Sequence, residues 1–587
     1  MKNKRLIGLS LTLFGLVLMY VGTYAYYMRV VNGTITGKTG AFTFDVLHNN
    51  ETFTSIDLYD TITGTPSVES SDKVIVPGDK GSFVLTATGV GSSTDIEYTI
   101  MFNGSSTPSN MKFYLDEAKT KVLDVETNKI YGYLDKNGSM VKEHTIYWEW
   151  PYDSGRYNDL DYEYANKNIS IDVKVAGKQS KDGMLVYGVK RDTSSTSTAW
   201  ERVGDSVGLE ANAVLPASST TVADTGVVND FDNIYPWSEI RSYNYNANTR
   251  KVTAWYGEAN FKFDGSNGEV LTYIPGFYYK REVVDGVEYQ YISKYEQEGY
   301  SYSEPFSVGR YMMSLVPNYE KECYVASSNN GGKFISDKIG KLREYASELG
   351  SDFSILDYHY FVIQMLYLIE YADYDSQSKL GLGCVSGFAG GSTDELGMKS
   401  GCLYNDGTHS IIYRGIEDIY GCWQYVDGIN IKDGQAYINY DFTTYWSDTF
   451  NENYKSLGYI NKTYTRYGYG YITKVGYDSD NPLIGLPIDA ESNSNKIIGD
   501  GYFYSNNNSV DVNFIFAVGG STRDYNSGIS INNDIVGFWA YASYFQSSIA
   551  GHSRLIRQLN AKERSLKTPQ AGEYDSSSFC SIGMCFQ

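Results

Sequence analysis

Short stretches of alternating apolar and polar residues dominate the first third of the chain. They are GAFTFDVL, GSFVLTATGV, TDIEYTIMF, MKFYLDEA, HTIYWEW and NISIDVKVAG, and turns rich in Gly, Ser and Asn separate them. A period of two with β-branched and aromatic residues is typical of strands that bury one face. Strands that recur at this spacing predict an antiparallel β-sandwich over residues 26–180.

Over residues 185–560, the pattern of apolar and polar residues indicates both helices and strands. Residues 338–349 carry an apolar stripe that predicts a helix, and residues 355–371 form the clearest helical pattern, which Asp357 can cap. The apolar face of that second helix consists of Phe361, Met365, Leu366, Leu368 and Ile369. The chain that follows is rich in Gly, Asn, Asp and Ser, which indicates long functional loops on a small scaffold. We therefore expect an α+β domain after the sandwich.

The N-terminus has the layout of an export signal. Lys2, Lys4 and Arg5 precede an apolar stretch over residues 6–21, and Thr23 and Ala25 provide the small residues of a cleavage site. We predict a secretory signal peptide over residues 1–25. An uncleaved membrane anchor is the alternative, because the apolar stretch approaches spanning length. Both alternatives place the bulk of the chain outside the membrane, since the basic residues stay inside.

The chain length and the net charge limit the number of domains and the kinds of partner that we expect. A chain of 587 residues needs more than one hydrophobic core. The formal net charge of −21 gives no general attraction for phosphate backbones, so nucleic acid is not an expected partner. The 56 tyrosines exceed what β-sheets alone require, and tyrosine is favoured in binding surfaces because it combines a large ring with a hydroxyl.

The cysteines and histidines predict no metal or cofactor site. None of the six cysteines has CxxC spacing, and the five histidines form no HExxH motif. An even number of cysteines in an exported chain permits disulfides, but their connectivity stays open. Cys580 and Cys585 fall in a C-terminal tail, residues 561–587, where they form a local disulfide or remain free. The DYDSQS loop at residues 373–378 could bind calcium or form Asx turns, and we assign no metal to it.

The N-terminal domain resembles a known group of exported proteins. Its motifs are GTYAYY, GAFTFDV, VPGDKGSF, IEYTIMF, HTIYWEWPY and DVKVAGKQ, in that order. They are similar to the TasA/camelysin group of matrix proteins of Gram-positive bacteria, over about 150 residues. The resemblance implies a jelly-roll-like sandwich and assembly into fibres by strand addition, which an open sheet edge favours. A stalk that makes no fibre is an equal alternative.

The C-terminal domain resembles a second family. Its motifs are NDFDNIYPWSEIR at 229–241, FDGSNGEVLTYIPGFYYK at 263–280, MLYLIEYADYDSQSKLGLG at 365–383, YRGIEDIYGCWQYVDGINI at 413–431, NPLIGLPIDA at 481–490 and the FWAYASYFQSSIAGHSRLIR segment that ends at Arg557. Together they resemble C-type-lectin-fold proteins related to formylglycine-generating enzyme. The nearest forms are receptor-binding proteins of gut bacteria and phage, including variable proteins of diversity-generating retroelements. That family includes an oxidase with a late copper-binding cysteine pair, but no cysteine lies between Cys422 and Cys580, so we expect a protein that is not an enzyme.

The resemblance implies that the late segment carries the ligand-binding face. Gly519 and Gly520 permit a tight turn, and a polar segment follows them. The predicted ligand-binding residues are Thr522, Arg523, Asp524, Tyr525, Asn526, Trp539, Tyr541, Tyr544 and Phe545. Among these, Tyr541, Tyr544 and the residues at 522–526 are expected to be exposed, whereas Trp539 and Phe545 are alternatively core residues. Tyr420, Trp423 and Tyr425 are predicted to be structural, as are Pro236, Trp237 and Arg241.

These observations predict a secreted or cell-surface adhesin or receptor-binding protein of a Gram-positive-type bacterium. Its ligand would be a protein or a glycan, and only the N-terminal segment would meet the membrane. A structural subunit of a matrix or pilus-like fibre, assembling through the N-terminal sandwich, is the alternative. A divergent oxidase of the formylglycine-generating type is a third hypothesis.

Overall fold

A computed structural model describes residues 41–559 and divides the chain into two compact units after Met184. The segments left out within that range are 69–72, 104–106, 109, 120–121, 124–128, 152–163, 166, 170, 181–182, 213–228, 319–322, 384–389, 403–409, 433–434, 442–450, 458–468, 492–496, 506–513, 521–535 and 546–549. The predicted signal peptide, residues 1–25, and the tail, residues 561–587, therefore lie outside the described residues. Within the described part of the chain, no helix has the length and apolar character needed to cross a membrane.

The first unit is a sandwich of two antiparallel sheets. Its strands are β1 (Asp45–His48), β2 (Glu51–Thr52), β3 (Lys80–Thr88), β4 (Ile96–Asn103), β5 (Lys112–Tyr114), β6 (Val122–Leu123), β7 (Lys129–Leu134), β8 (Val141–Glu149) and β9 (Asp172–Gln179), with a 3-10 turn at Leu58–Thr61. One sheet has the order β2-β1-β3-β8-β5-β6, and the other has the order β7-β4-β9. The β-sandwich predicted from alternation is confirmed.

Alternation along β3 and β8 builds the core of this unit. Leu85 on β3 and Ile146 on β8 are fully buried. Along each of these strands, the residues that alternate with buried ones are more exposed. Trp148 closes one end of the core, and its indole N–H donates to the hydroxyl of Thr61 at 2.8 Å. Side chains from β4, including Ile100, complete the same cluster from the opposite sheet. The period of two in the sequence thus corresponds directly to which residues pack.

The second unit is α+β and contains three large sheets. Its strands are β10 (Val186–Asp192), β11 (Glu201–Gly204), β12 (Arg241–Asn246), β13 (Lys251–Trp255), β14 (Glu269–Ile274), β15 (Phe277–Val284), β16 (Val287–Ser293), β17 (Ser301–Ser303), β18 (Phe306–Gly309), β19 (Ser314–Asn318), β20 (Cys323–Ser327), β21 (Phe353–Ile355), β22 (Gly401–Cys402), β23 (Ile411–Tyr413), β24 (Ile416–Glu417), β25 (Gln424–Lys432), β26 (Gln435–Ile438), β27 (Lys455–Ser456), β28 (Tyr469–Asp478), β29 (Asn481–Glu491), β30 (Tyr502–Ser505), β31 (Phe514–Gly520), β32 (Val536–Phe545) and β33 (Leu555–Gln558). The helices are α1 (Ile339–Ser347), α2 (His359–Tyr371) and α3 (Ser376–Leu380), with 3-10 turns at Asp230–Asn233, Trp237–Glu239 and Asp394–Leu396.

The sheets have five, six and eight strands. Their orders are β11-β10-β16-β15-β17, β13-β12-β14-β18-β33-β21 and β27-β26-β25-β31-β32-β30-β28-β29. The eight-stranded sheet curls into a half-barrel. The pair β30–β32 is parallel, whereas β31 and β32 are antiparallel. The predicted combination of a β-sandwich and an α+β domain is confirmed.

Helix α2 lies at the centre of the second unit. All thirteen of its residues are buried, and it packs against β10, β16 and β29. A helix that is covered on every side belongs to the core rather than to the surface. It begins at His359, later than the expected 355, because Phe353–Ile355 pairs with β33 as a strand. Asp357 nevertheless acts as predicted, accepting a hydrogen bond from the backbone N–H of His359 at 3.1 Å.

Candidate ligand-binding surface

The segment predicted to bind ligand connects two neighbouring strands of the eight-stranded sheet. Gly520 at the end of β31 lies opposite Val536 at the start of β32, so segment 521–535 leaves and re-enters the sheet at adjacent positions. Thr522, Arg523, Asp524, Tyr525 and Asn526 lie outside the described residues. The described chain therefore shows how this segment is attached.

The prediction that Tyr541 is exposed is wrong. Tyr541 is fully buried, its ring stacks on Phe516 at 5.5 Å, and its hydroxyl accepts a hydrogen bond from Gln364 at 2.8 Å. Trp539, on the same strand, is also buried and packs edge-on against Tyr374 at 4.8 Å. The physical reason is that α2 covers this face of β32. Neither side chain is available as a surface ligand contact, and the core alternative for Trp539 is the correct one.

Tyr544 and Phe545 form the end of β32. Their backbones pair with Ile515 and Phe514 of β31. Their side chains lie outside the described residues, so their predicted part in ligand binding stays a prediction.

Hydrogen bonds from two helices fix the start of β32. The carbonyl oxygen of Phe538 accepts from the hydroxyl of Tyr360 at 2.9 Å and from the side-chain amide of Gln364 at 2.8 Å. The carbonyl oxygen of Val536 accepts from the amide of Gln377 at 2.6 Å. Both Val536 and Phe538 are fully buried. The return point of segment 521–535 is therefore held inside the core.

A buried carboxyl group lies beside this anchor. Asp500 packs under Gly537, and a Cβ at Gly537 would approach its Oδ2 within 1.6 Å. Asp500 accepts a hydrogen bond from Ser376, whose hydroxyl in turn accepts from the backbone N–H of Phe538 at 3.1 Å. Burial raises the pKa of Asp500 well above its usual range. The raised pKa favours the uncharged form of Asp500 at this tightly packed junction.

The exit point at the end of β31 is equally constrained. Gly519 has a φ of +94°, a backbone conformation that side chains disfavour. Its carbonyl oxygen accepts a hydrogen bond from the backbone N–H of Gly421 at 3.0 Å. A Cβ at Gly519 would lie 3.0 Å from the carbonyl oxygen of Cys422. The two glycines singled out in the sequence thus allow the strand to end against a neighbouring turn.

That turn ends the segment of residues 410–422, which includes β23 and β24 and is buried throughout. We call this whole segment the floor turn. Besides Gly519, residues that flank two further segments also contact the floor turn. A Cβ at Gly383 would lie 3.1 Å from the carbonyl oxygen of Tyr420, and Gly383 directly precedes segment 384–389. Ser410, which follows segment 403–409, donates its hydroxyl to Asp418 at 2.9 Å. Three segments, 384–389, 403–409 and 521–535, therefore begin or end at contacts with one turn.

Buried charges hold the floor turn in place. The carboxylate of Glu417 accepts from the backbone N–H groups of Gly391 and Thr393 at 2.7 and 2.9 Å. The guanidinium of Arg554 donates to the carbonyl oxygens of Glu417 and Asp418 at 2.9 and 2.5 Å. Burial raises the pKa of Glu417 and lowers that of Arg554 to about 10, which leaves Arg554 charged at neutral pH. A buried polar network thus holds the floor turn, and such networks rigidify a core.

The aromatic residues of these motifs are structural, as expected. Tyr420 and Tyr425 are buried, and the Tyr420 hydroxyl donates to the carbonyl oxygen of Gly381 at 2.7 Å. Trp237 is buried and packs edge-on against Phe231 at 4.7 Å. Trp423 is partly exposed, in contrast to its two tyrosine neighbours.

The residues considered for metal or thiol chemistry can be placed where the structure describes them. Among them, no group of three or more His, Cys, Asp or Glu side chains could hold a metal ion. Asp375 in the DYDSQS loop accepts from the backbone N–H of Ser378 at 3.2 Å and caps α3. Cys402 and Cys422 are buried. This part of the chain provides a scaffold for its loops.

Comparisons with known proteins identify no relative. No protein-family model matches the chain, and no curated protein matches it.

Sequence reasoning missed the polar residues that secure this scaffold. Glu370, within the apolar helix α2, accepts from Arg414 at 2.7 Å and from Asn229 at 2.7 Å. Arg414 also reaches Asp232 at 2.6 Å, which ties the NDFDN motif to α2 and to the floor turn. The signal for this network was present, because Gln364 and Glu370 interrupt an otherwise apolar helix, and buried polar groups need partners.

Proposed function

We propose that this chain is an exported, surface-displayed binding protein of a Gram-positive-type bacterium, which binds a protein or glycan ligand through the segments attached to the floor turn. The observation that carries the proposal is the attachment of segments 384–389, 403–409 and 521–535 to this one buried turn. Polar loops held by a rigid scaffold are where binding residues concentrate. The proposed activity is binding, with no bond made or broken.

The composition of these segments supports binding. Two of them contain the polar and aromatic runs LYNDGTH and STRDYNSG, in which Tyr, Ser, Asn and Gly supply large rings and adaptable hydrogen bonds. The anchors beneath them are fully buried, so the cost of ordering the attachment points is met in folding rather than in binding. Preorganisation of this kind raises affinity by lowering the entropy lost on association.

The experiment is an array screen of the full chain against glycans and bacterial surface proteins, with single variants of the proposed contact residues. We expect Arg523→Ala and Tyr525→Ala each to weaken binding of the captured ligand about tenfold, the loss of roughly 1.4 kcal/mol typical of a central contact. Tyr324→Ala is the matched control, because Tyr324 is 59% exposed on β20.

Equal binding by Arg523→Ala, Tyr525→Ala, Tyr324→Ala and the unchanged chain would contradict the proposal. Circular dichroism of each variant separates a lost contact from a lost fold.

A further inference from the structure

The five-stranded sheet has an inner face that packs on α2 and an outer face that carries tyrosines. Along β15, Tyr279 and Arg281 are buried, whereas the alternate residues Tyr278, Lys280 and Glu282 are partly exposed. The neighbouring strand β16 repeats the pattern, with Ile292 inside. This outer face is formed by strands other than those that carry segment 521–535.

Two tyrosines of β16 form a parallel aromatic pair on this outer face. The rings of Tyr289 and Tyr291 are 5.9 Å apart between centroids, with an interplanar angle of 12°. Both side chains are partly exposed. Tyr291 pairs across the sheet with Gly188, and a Cβ at Gly188 would lie 2.4 Å from Cδ1 of Tyr291. The absence of a side chain at Gly188 therefore allows the Tyr291 ring to lie against the backbone of β10.

The charged residues beside the pair cancel one another. Lys190 lies opposite Tyr289 and contacts Glu201 at 3.1 Å, and Lys280 lies opposite Tyr291 and contacts Glu282 at 2.8 Å. Two lysines and two glutamates make this patch neutral, whereas the chain as a whole carries a formal charge of −21. A charged ligand would gain no net attraction from the patch, since surface pairs of this kind are already satisfied.

We propose that this tyrosine face, defined by Tyr289, Tyr291, Lys190, Glu201, Lys280 and Glu282, binds an uncharged polysaccharide. The electron-rich faces of aromatic rings attract the polarised C–H groups of a sugar ring, and both tyrosine side chains of this stacked pair are partly exposed. The ion pairs at the side hold ammonium and carboxylate groups where they donate to and accept from sugar hydroxyls. A protein partner fits less well, because the centres of protein interfaces are depleted of Lys and Glu.

The test is affinity electrophoresis of the full chain in native gels that contain a neutral polysaccharide. The probes are hydroxyethylcellulose, galactomannan, glucomannan and glycogen, and carboxymethylcellulose serves as the anionic comparison. We expect retardation by at least one neutral polymer and none by the anionic one. Tyr291→Ala and Tyr289→Ala should each raise the apparent dissociation constant about tenfold, whereas Tyr291→Phe keeps the ring and changes it less than about threefold.

Two control variants outside the tyrosine face test whether retardation depends on that face. Tyr324→Ala removes an exposed tyrosine from a different sheet and should leave retardation unchanged. Lys341→Ala removes an exposed charge from α1, which lies outside the five-stranded sheet, and should also leave retardation unchanged.

Three outcomes would overturn the proposal: no retardation by any neutral polymer, retardation that persists in the Tyr289→Ala/Tyr291→Ala double variant, or self-association in light scattering that this double variant abolishes. The last outcome would assign the tyrosine face to contacts between copies of this chain. Near-ultraviolet circular dichroism of the double variant confirms that the sheet is intact.

Discussion

At the scale of single residues, the second unit contains buried acids in two contrasting environments. Asp352 is paired with Arg557 at 2.8 Å and with Arg250 at 2.9 Å. Asp500 is also buried, but no cation of the described residues pairs with it, and it accepts a hydrogen bond from Ser376. A paired buried carboxylate stabilises its charged form, whereas an unpaired one is driven towards its neutral form.

The raised pKa of Asp500 predicts how the free energy of unfolding changes with pH. Burial raises its folded-state pKa above the usual value of 3.8, so above about pH 4 the folded state binds more protons than the unfolded state. The free energy of unfolding therefore falls as pH rises through this window. Asp500→Asn removes the titrating group, so we expect the variant to lose this part of the slope and to gain stability relative to the unchanged chain between pH 4 and pH 8. Urea unfolding at both pH values measures the change.

The matched control is Asp352→Asn, which breaks a buried ion pair. It should destabilise the protein by about 3 kcal/mol at pH 7. A relative stability of Asp500→Asn that is constant between pH 4 and pH 8 would contradict the assignment of a neutral carboxyl.

At the scale of elements, sequence patterns predicted the strands better than they predicted exposure. Alternation located β3, β4 and β8, and the apolar stripes located α1 and α2. The exposure of Tyr541, expected from the resemblance, was wrong, because α2 covers β32 and the strand carries extra residues between the pairs Gly520↔Val536 and Val518↔Tyr541. Such an irregularity depends on contacts with Tyr360, Gln364 and Gln377 from distant parts of the chain, which no local period encodes.

The network around α2 gives a prediction at this scale. Arg414→Ala would leave the carboxylate of Glu370 buried without its cation, and removal of one partner from a buried pair costs about 3–5 kcal/mol. We expect a loss of that size in the free energy of unfolding of the second unit. Lys341→Ala, which breaks an exposed pair with Glu344 on α1, should cost less than about 0.5 kcal/mol. Similar losses for the two variants in urea titrations would show that Glu370 is protonated or solvated.

At the scale of the whole molecule, the predicted ligand-binding site has two parts. One is the attachment of segment 521–535 to the sheet, and the other is the set of residues predicted to contact the ligand. The glycines at 519 and 520 signalled the attachment in the sequence, because only a backbone that tolerates positive φ could end a strand there. The buried partners of that attachment, such as Arg554 and Gly421, could not be predicted, since they come from residues far away in the chain. The resemblance of the motifs to a C-type-lectin fold stays a prediction, and so does the resemblance of the sandwich to matrix proteins.

The two units have separate hydrophobic cores, one around Trp148 and the other around α2. A domain with its own core can fold alone, so a fragment of residues 185–560 should unfold cooperatively in urea, with a midpoint within about 0.3 M of the second-unit transition of the full chain. Tryptophan fluorescence follows that transition, because Trp200, Trp237, Trp255 and Trp539 are all buried in the second unit. Arg414→Ala should lower the midpoint of the fragment and of the same transition in the full chain by equal amounts, while the first-unit transition stays in place. A fragment that is unfolded without denaturant, or a single transition in the full chain that shifts as a whole in Arg414→Ala, would show that the two cores depend on each other.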